Sequence, residues 1–120
     1  MSQACVISIY VPDMEEAVDF YTKVLKFEVN KQYGPKIVTL INGDLPLVLE
    51  QSENVSYKSD EHPSGVVLAL KTGDIDQTLQ QLKDKNVKFL VGVPTECPPG
   101  KFISFYDPFG NVIEYLQFAD

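Results

Sequence analysis

The sequence predicts an α+β fold built from two βαβββ modules, and three observations carry that prediction. Two helix starts share one pattern, Asp13-Met14-Glu15-Glu16 and Asp74-Ile75-Asp76-Gln77: an Asp N-cap with Glu or Gln three residues on. Each cap stands seven residues after the start of an alternating strand, at Val6 and at Val67. Three strand signals then follow each helix, so the order βαβββ occurs twice. A repeat of that kind is a stronger fold signal than any single element.

Taken in order, Val6–Val11 alternates, with Ile7, Ile9 and Val11 on one face and Val6, Ser8 and Tyr10 on the other. Met14, Ala17, Val18, Tyr21 and Leu25 follow at helical spacing and predict a helix over Met14–Leu25. Strand signals come next at Phe27–Val29, Ile37–Ile41 and Leu47–Glu50, separated by Gly34-Pro35 and Asn42-Gly43-Asp44. In the second module Val67–Lys71 is the first strand. Ile75, Thr78, Leu79 and Leu82 then predict a helix over Ile75–Lys85. Val87–Val91, Phe102–Tyr106 and Asn111–Phe118 complete it, with breakers at Pro94, Pro98-Pro99-Gly100 and Asp107-Pro108-Phe109-Gly110. The expected organisation is a single domain over residues 1–120. The modules occupy 1–51 and 66–120, and a polar linker occupies 52–65.

Composition narrows the function. Net charge is −7 and all ten basic residues are lysine, so there is no guanidinium fork and no basic stripe; nucleic acid is not an expected partner. No apolar run approaches the roughly 18 residues that span a bilayer, and the start, MSQACVISIYVPD, reads as a strand rather than a leader. A cytoplasmic protein with no membrane partner is expected. Cys5 and Cys97 read as free packing thiols. The single histidine, His62, falls in the linker and reads as a solvated loop residue.

Two segments resemble the vicinal-oxygen-chelate superfamily of glyoxalases, fosfomycin- and bleomycin-resistance proteins and extradiol dioxygenases. They are VPDMEEAVDFYTKVLKFEV near the start, with Lys26 where the family usually has Gly, and FYDPFGNVIEYLQF at the end. The resemblance implies curled half-barrel sheets with the helices outside and a cavity inside. It also implies that metal-dependent members carry ligands on the first and last strand of each module. Counting back seven residues from the caps places Val6 and Val67 at the first-strand positions, and neither binds a metal. The last-strand positions are read as Glu50 and Glu114, and two carboxylates alone make no tight transition-metal site. No metal and no cofactor are therefore expected.

The expected ligand pocket is lined by Val6, Ser8, Tyr10, Val67, Ala69, Phe102, Ser104 and Glu114, with Glu50 from the companion module. Glu114 is the candidate catalytic group. The favoured function is metal-free binding of a small molecule, as in the bleomycin-resistance branch, where two subunits sequester a cationic drug; a homodimer is expected. The alternatives are a metal-independent lyase or isomerase using a cavity carboxylate, and a purely structural dimer module. A nickel or zinc glyoxalase is opposed by the two valines.

Overall fold

The computed structural model describes residues 2–53 and 66–119. The chain divides into two compact units, Met1–Ser56 and Tyr57–Asp120. The expected linker and His62 lie mostly or wholly outside the described residues.

The first unit contains β1 (Ile7–Val11), α1 (Met14–Asp19), β2 (Val29–Gln32), β3 (Ile37–Leu40) and β4 (Leu47–Gln51). Its sheet has the order β1-β4-β3-β2, with β1 parallel to β4 and the other pairs antiparallel. The second unit repeats this with β5 (Leu68–Lys71), α2 (Ile75–Asp84), β6 (Phe89–Cys97), β7 (Gly100–Tyr106) and β8 (Val112–Phe118), in the order β5-β8-β7-β6. Neither sheet closes on itself, and the fold is the α+β, two-module architecture read from the repeat.

Each helix covers the aliphatic face of its own sheet. Val11, Ala17, Val38, Leu40, Leu47 and Leu49 are almost wholly buried in the first unit, as are Ile75, Leu82, Ile103, Phe105 and Ile113 in the second. Both N-termini are closed twice. The Asp13 carboxylate accepts from Glu16 N–H and the Asp74 carboxylate from Gln77 N–H, each at 3.1 Å. In addition Gln51 Oε1 accepts from Met14 N–H at 2.9 Å, and Gln117 Oε1 accepts from Ile75 N–H at 2.7 Å. A glutamine on the last strand thus ties down the helix start in both modules, satisfying a donor that a helix cannot satisfy itself.

The helix ends differ. Past Asp19, α1 widens over Phe20–Val24 into π-type bonding, with Leu25 N–H donating to Phe20 O at 3.2 Å. Phe27 N–H then reaches back to Tyr21 O at 3.0 Å, while Lys26 takes a left-handed φ of 67°. This is the position where the family usually has glycine, and the lysine adopts the conformation that glycine takes without strain. The expected regular helix to Leu25 is corrected accordingly. By contrast α2 closes on a Schellman motif: Asn86 has φ 59°, Asn86 N–H donates to Lys83 O and Val87 N–H to Leu82 O.

Three strand expectations shift. β2 lies at Val29–Gln32 rather than Phe27–Val29, because the back-bonded helix exit holds Phe27. β6 runs through Pro94, expected as a breaker, because it is the end strand of its sheet and slips register between Val91 and Thr95. Val6 and Val67 fall one residue outside β1 and β5. The Asp107 turn is as expected, with Gly110 at φ 89°. The buried Asp107 carboxylate accepts from Phe109 N–H, Asn111 N–H and Asn111 Nδ2, which holds the β7–β8 connection.

Candidate functional site

Strand alternation leaves a second face on each sheet, opposite its helix. In the second module the register places Ala69, Glu114 and Ser104 in one row across β5, β8 and β7. Directly opposed residues have Cβ atoms about 4.5–5.5 Å apart. Phe102 and Tyr106 flank Ser104 along β7 on the same face.

Two features of this row stand out chemically. Glu114 is half-buried, and no side chain or backbone donor among the described residues reaches its carboxylate. Ser104 is 3% exposed, and its Oγ is the one buried side-chain polar atom among the described residues without a hydrogen-bond partner. An orphaned buried hydroxyl costs on the order of 1–3 kcal/mol. Two cations border the face: Lys88 Nζ sits 5.2 Å above the Tyr106 ring, and Lys71 stands exposed one alternation beyond Ala69. Tyr115 lies on the opposite, helix-covered face, stacked 5.9 Å from Phe105, and burial pushes its phenol above the usual value.

The first module builds the same face with different chemistry. Its equivalent row is Ser8, Val48, Thr39 and Lys31. The register equates Leu47 with Ile113 and Gln51 with Gln117, so Val48 is the counterpart of Glu114. Glu50 matches Leu116 instead, two positions further along. The expected pairing of Glu50 with Glu114 as equivalent last-strand positions is therefore corrected. The duplicated glutamine caps were the sequence signal that aligns these strands. Thr39, the counterpart of Ser104, has its hydroxyl accepting from Lys31 N–H at 3.0 Å and bonded to Lys31 O at 3.3 Å.

Val6 and Tyr10 are exposed, at 42% and 56%; Ser8 and Ala69 are exposed, and Val67, Phe102, Glu50 and Glu114 half-buried. The structure thus brings Ala69, Phe102, Ser104 and Glu114 onto one face of the second module. Ser8, Tyr10 and Glu50 come onto one face of the first. Val48, Thr39, Ile37 and Tyr33 also belong to that first face and were not singled out from sequence.

Taken module by module, the first- and last-strand positions carry Val6 and Val48 in the first and Val67 and Glu114 in the second. A valine offers a divalent ion no donor, and one carboxylate alone does not fit it. Among the described residues no three His, Cys, Asp or Glu side chains gather. No described helix is long and apolar enough to cross a membrane.

Two βαβββ modules, each with a sheet face opposite its helix, define the class of fold. The chain belongs to the Glyoxalase/Bleomycin resistance protein/Dioxygenase superfamily, whose model matches residues 4–115. It is similar to TnmS3, an antibiotic binding protein from Streptomyces sp. CB03234, at 29% identity and a TM-score of 0.76, over 99% of this chain and 98% of that one. It is 28% identical to the metallothiol transferase FosB of Staphylococcus epidermidis over 105 residues, 87% of this chain and 73% of that protein. A lactoylglutathione lyase from Agrobacterium tumefaciens shares the fold alone, at 17% identity and a TM-score of 0.74 over 98% of this chain and 94% of that one.

Proposed function

We propose that the protein binds a small molecule without a metal or cofactor, in the manner of an antibiotic-sequestering protein, on the sheet face centred on Glu114. The observation that carries this reading is the pairing, in one row, of a half-buried carboxylate without a donor and a buried hydroxyl without a partner. The half-buried Glu114 carboxylate beside aromatic side chains fits a ligand that supplies its missing donor, and the Ser104 hydroxyl lies next to it in the row. The small Ala69 side chain gives access to Glu114 from the β5 side. Likeness to TnmS3 over nearly the full chain supports the same reading. Val67 contributes further lining in this proposal, Val6, Ser8, Tyr10 and Glu50 belong to the first module's own face, and the working form is a cytoplasmic homodimer.

The test is calorimetric titration of purified, untagged protein with bleomycin as the probe, with elemental analysis of the same sample. Binding by the metal-free protein that weakens about tenfold in Glu114→Gln is expected, the scale of a lost charged hydrogen bond. Stoichiometric zinc, nickel, iron or manganese would contradict it, and so would sedimentation as a concentration-independent 13.5 kDa monomer. A second reading, a metal-independent lyase or isomerase, rests on the same free carboxylate acting as a base. It requires turnover of a small carbonyl substrate that Glu114→Gln abolishes.

A further inference from the structure

The sequence holds five asparagines, and Asn42 alone is followed by glycine; lysine follows Asn30, and β-branched valine follows Asn54, Asn86 and Asn111. The difference bears on a reaction that asparagine, a thermolabile residue, undergoes with its own chain. The backbone nitrogen of the next residue attacks the side-chain carbonyl carbon, and a side chain on that residue obstructs the closing ring. Gly43 has none, and the place where a Cβ would stand is open space.

The structure adds to this. Asn42 is half-buried and Gly43 exposed, in the connection between β3 and β4. No acceptor among the described residues takes the Gly43 N–H, so no hydrogen bond has to be given up before that nitrogen reacts. Two bonds close the turn 42–45. Leu45 N–H donates to Asn42 O at 3.0 Å, and Asn42 Nδ2 donates to Leu45 O at 2.9 Å. The second bond depends on the side-chain amide itself.

We propose that Asn42 and Gly43 form a site of spontaneous covalent modification, at which asparagine becomes aspartate or isoaspartate and the β3–β4 turn loses one of its two closing bonds. The Gly43 nitrogen gives its proton to water and bonds to Asn42 Cγ. The Cγ–Nδ2 bond breaks and the amide nitrogen leaves as ammonia. The resulting succinimide ring holds Gly43 N with Asn42 C, Cα, Cβ and Cγ. Water opens it at either carbonyl: at Cγ it leaves aspartate on an ordinary main chain, and at C it leaves a main chain that runs through Cγ and is one methylene longer. One water is consumed and one ammonia released, and no oxidant or other reactant is needed. The product cannot hold the turn as before. An ionised carboxylate only accepts, so oxygen faces oxygen where Asn42 Nδ2 met Leu45 O. The turn joins strands whose adjoining pair, Leu40 and Leu47, is wholly buried, so its loosening reaches the core of the first module.

The test incubates the folded, full-length protein at physiological temperature in mildly alkaline buffer made with heavy-oxygen water. Peptide mass spectrometry, with fragmentation that separates isoaspartate from aspartate, reads the products. Conversion at position 42 is expected ahead of Asn30, Asn54, Asn86 and Asn111, with isoaspartate beside aspartate and solvent oxygen in the new carboxyl. Asn42→Gln, which keeps an amide but needs a larger ring, is expected to stop it. Asn42→Asp, which carries the product's charge on an ordinary main chain, is expected to unfold at a lower urea concentration than fresh wild-type protein. The proposal is overturned if the folded protein stays unchanged at position 42 over the time in which the urea-unfolded chain converts, or if another asparagine converts first. Aspartate without isoaspartate also overturns it, because the amide is then hydrolysed directly and the Gly43 nitrogen takes no part. An Asn42→Asp variant with the wild-type urea midpoint overturns the effect on the turn.

Discussion

The two modules agree in how they anchor the starts of their helices and differ in the chemistry of the sheet faces opposite them. Asp13 and Asp74 cap the helices in the same way, and Gln51 and Gln117 repeat the same long-range bond from the last strand. On the faces opposite the helices, Ser8 stands against Ala69, Tyr10 against Lys71, Val48 against Glu114 and Glu50 against Leu116. Thr39 and Ser104 keep a hydroxyl at the same place, yet the first is bonded to the backbone of Lys31 and the second to nothing among the described residues. The difference teaches that duplication fixed the helix anchors, while the two faces came to hold different chemistry.

The sharpest way to break the comparison lies in the hairpins. Gly34 has φ 72° with open space around it, whereas a Cβ on Gly100 would lie 2.0 Å from Gln117 O. Gly100→Ala is expected to destabilise by about 3 kcal/mol or more, because backbone must move, and Gly34→Ala by about 1–2 kcal/mol from conformation alone. Chemical denaturation of the two variants measures both. Next come the duplicated caps. Gln51→Ala and Gln117→Ala are each expected to cost about 1 kcal/mol, and equal losses in the two would show that the anchors are equivalent in energy as well as in geometry.

The paired hydroxyls come third, with opposite signs. Thr39→Val removes a satisfied hydroxyl and is expected to lower stability by about 1 kcal/mol, whereas Ser104→Ala removes an orphan and is expected to raise it by about 0.5–1 kcal/mol. A Ser104→Ala loss equal to that of Thr39→Val would show that Ser104 is bonded in solution. The helix exits give a smaller effect. Lys26→Gly is expected to stabilise by about 0.5–1 kcal/mol, and Asn86→Gly by less, since asparagine tolerates the left-handed region.

The smallest expected effect is in alkali. Burial raises the Tyr115 phenol above its ordinary value of 10.0, and the matching residue in the first module is Leu49, which does not titrate. Above pH 10 the unfolded chain loses this proton while the folded chain keeps it. Stability is therefore lost as pH rises from there through the folded value, and none of that loss is present below the unfolded value. Melting curves between neutral pH and alkali should show a decline that Tyr115→Phe reduces.

Much of the architecture was legible because it is written locally. The caps, the alternation and the Gly and Pro turns each act within a few residues, and they located the helices and the strand order. What escaped was set by contacts across the sheet. Glu50 and Glu114 look alike because each closes an apolar run, but register decides which is which, and register follows from pairing with β1 and β5. The widened end of α1 likewise depends on Phe27 bonding back to Tyr21, and helical spacing through Leu25 gives no sign of it. Of the candidate site, face membership was readable from alternation at Ser8, Tyr10, Ala69 and Ser104. The neighbours Val48, Thr39 and Tyr33 were not, because they enter only through strand pairing.

Pro94 has a consequence for the protein's life in a crowded solution. β6 is the end strand of its sheet and carries the exposed apolar side chains Leu90 and Val93. A strand of that kind offers its main chain as a template on which another chain can lay down a strand, the first step of fibril growth. Proline has no N–H to offer, and the register slip between Val91 and Thr95 bends the strand away from the flat form that stacking requires. Pro94 is therefore expected to act against self-association along β6, and faster aggregation of Pro94→Thr in light scattering checks it.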